Sequence, residues 1–130
     1  MRKVLIDTNI YSFAMKGDAG VVSTLRKIDL IAISSITIGE LLSGFKGASR
    51  EEKNRDELNT FLDSPRVVIH PIDEETAEFY ASILTNLKSA GTPIPTNDIW
   101  IASVAFQYGY KLFSNDSHFR FIPGIVRLIG

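Results

Sequence analysis

Near the start of the chain stands the run Lys3-Val4-Leu5-Ile6-Asp7-Thr8-Asn9. Its apolar half is short and rich in branched residues, as in a buried strand. The Asp-Thr-Asn trio that follows hydrogen-bonds readily to its own backbone and so ends a strand. Ile10 to Lys16 has room for one or two helical turns, so the first sixteen residues read as strand, turn, helix. The alternation continues outward. After the break at Gly17-Asp18-Ala19-Gly20, Val21, Val22, Leu25 and Ile28 recur at helical spacing, and Leu30 to Ile33 reads as a second buried strand. Ile38, Leu41, Leu42 and Phe45 form the apolar stripe of a helix ending near Gly47, and Ser49 to Leu62 forms a charged helix broken by Pro65. Val67 to Ile69 gives a third strand. Thr76, Phe79, Tyr80, Ile83, Leu84 and Leu87 then mark a long amphipathic helix that stops before Gly91.

Pro93 and Pro95 hold the next stretch extended. Thr96 or Asn97 offers a cap for a helix from Asp98 to about Tyr108, apolar around most of its circumference and therefore expected in the middle of the fold. Lys111 to Ser114 reads as a fourth strand, Asn115 to Phe119 as a turn, and Ile125 to Ile129 as a fifth strand at an edge. Strands alternating with helices predict an α/β fold whose mostly parallel sheet of four to five strands is covered on both faces. A length of 130 residues without internal repeat or linker predicts one domain over residues 1–130.

Composition narrows the chemistry. Fourteen basic against fifteen acidic residues leave a net charge of −1, so global attraction cannot bring in a polyanion, and any nucleic-acid contact has to be local. With no cysteine and two histidines, a metal here takes oxygen ligands rather than a thiolate or all-histidine set. Only three apolar residues separate Met1-Arg2-Lys3 from Asp7, too few for a signal peptide, and no later run approaches a membrane span, so a cytoplasmic protein is expected.

In an open parallel sheet, function gathers beyond the carboxyl ends of the strands where strand order reverses. Asp7 follows the first strand, Asp116 follows the fourth, Asp98 opens a helix, and Glu40 lies within the helix after the second strand. Each aspartate alone has a structural explanation as a helix cap or Asx turn. Glu40 points about 150° away from its helix's apolar stripe, which a solvated face would explain. That face also carries Gly44 and Gly47, and glycine inside a helix costs about 0.5 to 1 kcal/mol relative to alanine, which suggests a close approach unless Gly47 ends the helix.

Together these pieces resemble the PIN-domain nucleases, and within them the VapC-type toxins of toxin–antitoxin pairs. The resemblance rests on Leu5-Ile6-Asp7-Thr8-Asn9, on Glu40-Leu41 followed by Gly44, on Asp98-Ile99-Trp100-Ile101-Ala102-Ser103 and on Ser114-Asn115-Asp116-Ser117-His118-Phe119, in order and nearly end to end. It implies a three-layer α/β/α sandwich. It also implies a site in which Asp7, Glu40, Asp98 and Asp116 hold Mg²⁺ or Mn²⁺ for RNA cleavage, supported by Thr8, Asn9 and Ser114. Ser114 stands where many relatives carry threonine. A homodimer and an antitoxin protein are the further partners implied.

Such chemistry needs a nucleophile at neutral pH and offset of the charge building on phosphoryl and leaving oxygens, which one or two hard cations on carboxylates supply. The competing route uses His70 and His118 as general acid and base without metal. Basic side chains should rim an acidic site that takes RNA, and Lys16, Lys46, Arg50 and Arg120 lie near the motifs. Trp100 reads as packed within its apolar helix, while Tyr11 and Phe13 fit a core, a dimer seam or an antitoxin groove.

Overall fold

A computed structural model describes residues 1–128. Strands β1 (Lys3–Ile6), β2 (Leu30–Ser34), β3 (Val67–His70), β4 (Lys111–Phe113) and β5 (Arg127–Leu128) form one sheet in the order β3-β2-β1-β4-β5, with every neighbouring pair parallel. Helices α1 (Thr8–Met15), α2 (Ala19–Arg26), α3 (Ser35–Phe45), α4 (Glu51–Leu62), α5 (Glu74–Ala90) and α6 (Thr96–Tyr108) connect them, and a 3-10 helix spans Ser117–Phe121. The expected three-layer α/β/α architecture is present, with five strands.

The strand period of two divides the core. Leu5, Ala32 and Leu112 face α5 and α6, packing with Ile83, Leu87, Ile101 and Val104. Val4, Ile6, Ile31, Ile33 and Phe113 face the other way, against Ile10, Val21, Leu25, Leu41 and Leu58 of α1 to α4. Burial on both faces is why these strands read as continuous apolar runs, and each fully buried Leu or Ile stabilises the fold by roughly 1.5 to 3 kcal/mol. The α6 helix is buried along Ile99, Ile101, Ala102, Ser103, Val104 and Ala105, as its sequence predicts. Ser103 tolerates this because its hydroxyl donates to the Ile99 carbonyl at 2.7 Å.

Local details differ from the sequence reading. The α6 helix begins at Thr96, with Pro95 at the N-cap and no side-chain cap, so neither Thr96 nor Asn97 caps it and Asp98 lies within its first turn. Proline suits such a position because a helix start has no use for its missing N–H. The segment from Ser117 closes into a 3-10 helix rather than an open turn. Among the described residues the fifth strand covers Arg127–Leu128 and not Ile125 or Val126, and the Ile129 end of the expected one lies outside them. A Cβ built on Gly44 meets nothing within 4 Å among the described residues, so that face is open space, with room for a substrate backbone or a partner subunit. Gly47 has φ +74°, the left-handed conformation that lets the chain leave α3. No helix of the described residues is long and apolar enough to cross a membrane.

Candidate active site

The strand order places the site. Chain order runs from β1 through β2 to β3 on one side and to β4 and β5 on the other, so a crevice opens beyond the carboxyl ends of β1 and β4. A cleft of about 330 Å³ lies there, lined by Asp7, Glu40, Asp98, Asp116, Thr8 and Asn9, with His118 beside them. All four acids named from the sequence line it.

Asp7 is 4% exposed. Its Oδ1 accepts from the Ile10 amide at 2.9 Å, capping α1, and its Oδ2 accepts from the Ser114 hydroxyl at 2.5 Å. Cap and site residue are therefore one group, since the second oxygen is bound across the sheet. Burial raises the Asp7 pKa; the hydrogen bonds from Ser114 and Ile10 oppose this, and the charges of Asp116 and Glu40 add to it. Ser114 is fully buried and does double duty, because its oxygen also accepts from the Asp116 amide at 3.0 Å. A hydroxyl at this position thus aligns the acid ending β1 with the one following β4.

Glu40 is half-buried rather than solvated. The Thr8 hydroxyl donates to its Oε1 at 2.6 Å, joining the start of α1 to the middle of α3. Asp98 projects from the first turn of α6, and burial first, then the Asp116 charge, pushes its pKa up to about 6. His118 opposes that shift and Glu40 adds to it, so Asp7 and Asp98 both feel the charges of Asp116 and Glu40. Asp116 caps the 3-10 helix, its Oδ1 accepting from the His118 amide at 2.8 Å.

The sequence undervalued His118. Its Nδ1 stands 3.2 Å from Asp98 Oδ2 and 3.1 Å from Asp116 Oδ1, bridging two acids. Asp98, Asp116 and His118 each offer a ligand atom, and those atoms all lie within 4.8 Å of one another. The signal was the spacing Asp116-Ser117-His118, which a tight turn folds back. His70 goes elsewhere: its ring stacks on Tyr108 with centroids 3.8 Å apart, and its Nε2 lies 2.7 Å from the Tyr110 hydroxyl. Since His70, Tyr108 and Tyr110 do not line the acidic cleft, the two histidines do not form an acid–base pair across it.

Of the basic candidates for a rim, Lys16, Lys46, Arg50 and Arg120, none lines the cleft itself. Arg50 lies on a groove beside α4, and the Arg120 guanidinium sits 4.4 Å over the Phe121 ring. Trp100 is half-buried and stacks on Tyr80 at 3.9 Å. Tyr11 is a core residue, edge-on to Phe61, whereas Phe13 is 37% exposed.

The family model of the PIN domain matches residues 4–124. The chain belongs to the PIN domain family. Among PIN relatives, "Ribonuclease VapC2" of Rickettsia felis is 31% identical over 127 residues, covering 94% of this chain and 93% of the relative. "Ribonuclease VapC4" of Mycobacterium tuberculosis is 28% identical over 130 residues, covering 96% and 95%. The crystal structure of VapBC2 from Rickettsia felis bound to a DNA fragment from its promoter superposes with a TM-score of 0.88 at 30% identity, over 98% of both chains. A DNA-bound VapBC from Salmonella typhimurium gives 0.88 at 28% identity, covering 99% and 98%. The cleft of this PIN domain therefore sits in a fold shared with toxin–antitoxin complexes.

Proposed function

We propose that this PIN domain is a divalent-metal-dependent ribonuclease acting in the cytoplasm as the toxin of a toxin–antitoxin pair. The observation that carries the reading is the meeting of Asp7, Glu40, Asp98 and Asp116 on one cleft at the sheet's switch point, in a chain 31% identical to a named ribonuclease. The donor set fits a hard cation. Carboxylates dominate it, and Asp98, Asp116 and His118 each offer a ligand atom within 4.8 Å of the others.

Asp98, Asp116 and His118 hold Mg²⁺ or Mn²⁺ in this reading, with Asp7 completing the set. When bound, the ion lowers the pKa of a water and offsets charge on the phosphoryl and leaving oxygens. The protein's own groups do the positioning. Ser114 orients Asp7 and the Asp116 backbone together, and Thr8 pins Glu40 so that its carboxylate can accept a proton from the attacking water. The structural likeness to VapBC complexes supports an antitoxin partner, and a homodimer is part of the same proposal.

Cleavage of RNA should stop in EDTA, return with Mg²⁺ or Mn²⁺, and leave 5′-phosphate ends. The Asp98→Asn variant should lose on the order of 10²-fold or more in rate, a loss typical when preorganised charge at the reacting phosphate is removed. Cyclic-phosphate products formed in EDTA, or wild-type cleavage by Asp98→Asn, would overturn the reading.

A further inference from the structure

The acidic cleft has no lysine or arginine in its lining and the chain as a whole carries a charge of −1, so any lysines and arginines that attract a polyanionic substrate lie on another surface. A concentration of cations lies on a cavity at the opposite end of the same strands. There a groove of about 610 Å³ is lined by Arg2, Lys3, Lys27 and Lys111 and by no carboxylate. All four cations are exposed, and among the described residues none of them is in an ion pair. The nearest acid in sequence, Asp29, is outside the lining and accepts from the Arg2 amide at 2.7 Å. Val4, Ile28 and Leu128 give the groove an apolar floor.

Topology fixes the relation between groove and cleft. Lys3 opens β1, whose carboxyl end leads to Asp7, and Lys111 opens β4, whose carboxyl end leads to Ser114 and Asp116. Four strand residues at about 3.3 Å each separate Lys3 from Asp7 by roughly 13 Å along the sheet. We infer that the Arg2, Lys3, Lys27 and Lys111 groove binds the phosphate backbone of the RNA substrate away from the cleavage point, so that the enzyme favours RNA long or folded enough to reach both ends of the sheet. This rests on the ribonuclease reading. Phosphates on exposed lysines give register-free, salt-sensitive attraction, which complements a cleft that engages the backbone only at the cleavage point.

The test compares a stem-loop RNA spanning cleft and groove with a trinucleotide too short to do so. In the Asp98→Asn background, anisotropy of the labelled stem-loop should show Lys27→Glu/Lys111→Glu weakening binding on the order of 10-fold and lowering the slope of log K against log salt by about 2. In the otherwise wild-type protein, the same pair of substitutions should leave the rate of trinucleotide cleavage unchanged. Lys88→Glu, on exposed α5, carries charge reversal away from the groove and should have little effect. The inference is overturned by unchanged stem-loop affinity in the double variant, by an equal loss in Lys88→Glu, or by a matching fall in trinucleotide cleavage. If wild type neither binds nor cleaves either RNA, the ribonuclease reading fails as well; RNA cleaved normally with the groove variant bound normally overturns the groove alone.

Discussion

At the residue scale, Asp98 links stability to chemistry. Its pKa is raised from 3.8 to about 6, so the folded protein holds this proton more tightly than the unfolded chain does. The stability Asp98 contributes is complete below its ordinary value and is lost as pH climbs to about 6 and beyond. Its side chain is 17% exposed, and a shift of this size corresponds to about 3 kcal/mol at neutrality. In EDTA, Asp98→Asn should melt together with wild type near pH 4 and several degrees higher near pH 7. Millimolar Mn²⁺ should stabilise wild type more than the variant, because an ion stabilises only the state that binds it. Calorimetry showing a destabilised Asp98→Asn in EDTA and no metal effect on wild type would count against the site.

Ser114 offers a second test at this scale. Ser114→Ala leaves the buried Asp7 Oδ2 without its donor and the part-buried Asp116 amide without its acceptor, which costs about 1 to 3 kcal/mol. It should also raise the Asp7 pKa further, since the Ser114 hydrogen bond lowers it. Ser114→Thr keeps the hydroxyl. We expect the alanine variant to lose stability in urea and activity together, and the threonine variant to keep activity. Equal activity in both would show that the hydroxyl does not align the acids.

At the scale of elements, helix starts and ends carry the fold's local instructions. The α5 helix begins in a reciprocal cap: the Thr76 amide donates to Asp73 Oδ1 at 3.0 Å, and the Asp73 amide donates to Thr76 Oγ1 at 3.1 Å. Gln107, at the end of α6, donates to the same Asp73 oxygen at 2.9 Å, tying the two helices of that layer together. These bonds, the Thr76 amide first, hold the Asp73 pKa below 3.8. A depressed carboxylate contributes above its ordinary value and is lost as pH falls through the lowered one. Asp73→Ala should therefore lower the melting temperature at pH 7, lose that deficit in strong acid, and leave RNA cleavage per folded molecule unchanged. A melting temperature equal to wild type at pH 7 would show that water replaces the cap at no cost.

At the scale of the whole molecule, the toxin reading predicts behaviour in cells. Expression of the chain without a cognate antitoxin should slow bacterial growth, while Asp98→Asn at equal abundance should not. Equal growth would remove the toxin role and leave the nuclease to stand on its own assay. Growth arrest by both forms would point to toxicity independent of the cleft.

Much of this molecule follows from local sequence. The order of strands and helices, their buried faces and the turns at Asp7 and Asp116 depend on neighbours within a few residues, so apolar spacing and turn chemistry carry them. The acids at strand ends were legible for the same reason. Contacts between distant residues were not. The Ser114–Asp7 bond joins groups 107 residues apart and the Thr8–Glu40 bond groups 32 apart, and only the stacking of β1 between β2 and β4 brings them together. His118 reads from the sequence as a residue beside the site, and only the convergence of the 3-10 helix and α6 sets it between Asp98 and Asp116. Lys3 and Lys111 look like isolated strand-opening lysines until parallel pairing, which sets Lys111 beside Val4, brings both to one groove at the end of the sheet opposite the acids. Local propensity determined which elements form, and the sheet's strand order, a property of the whole chain's burial, decided which of their side chains meet.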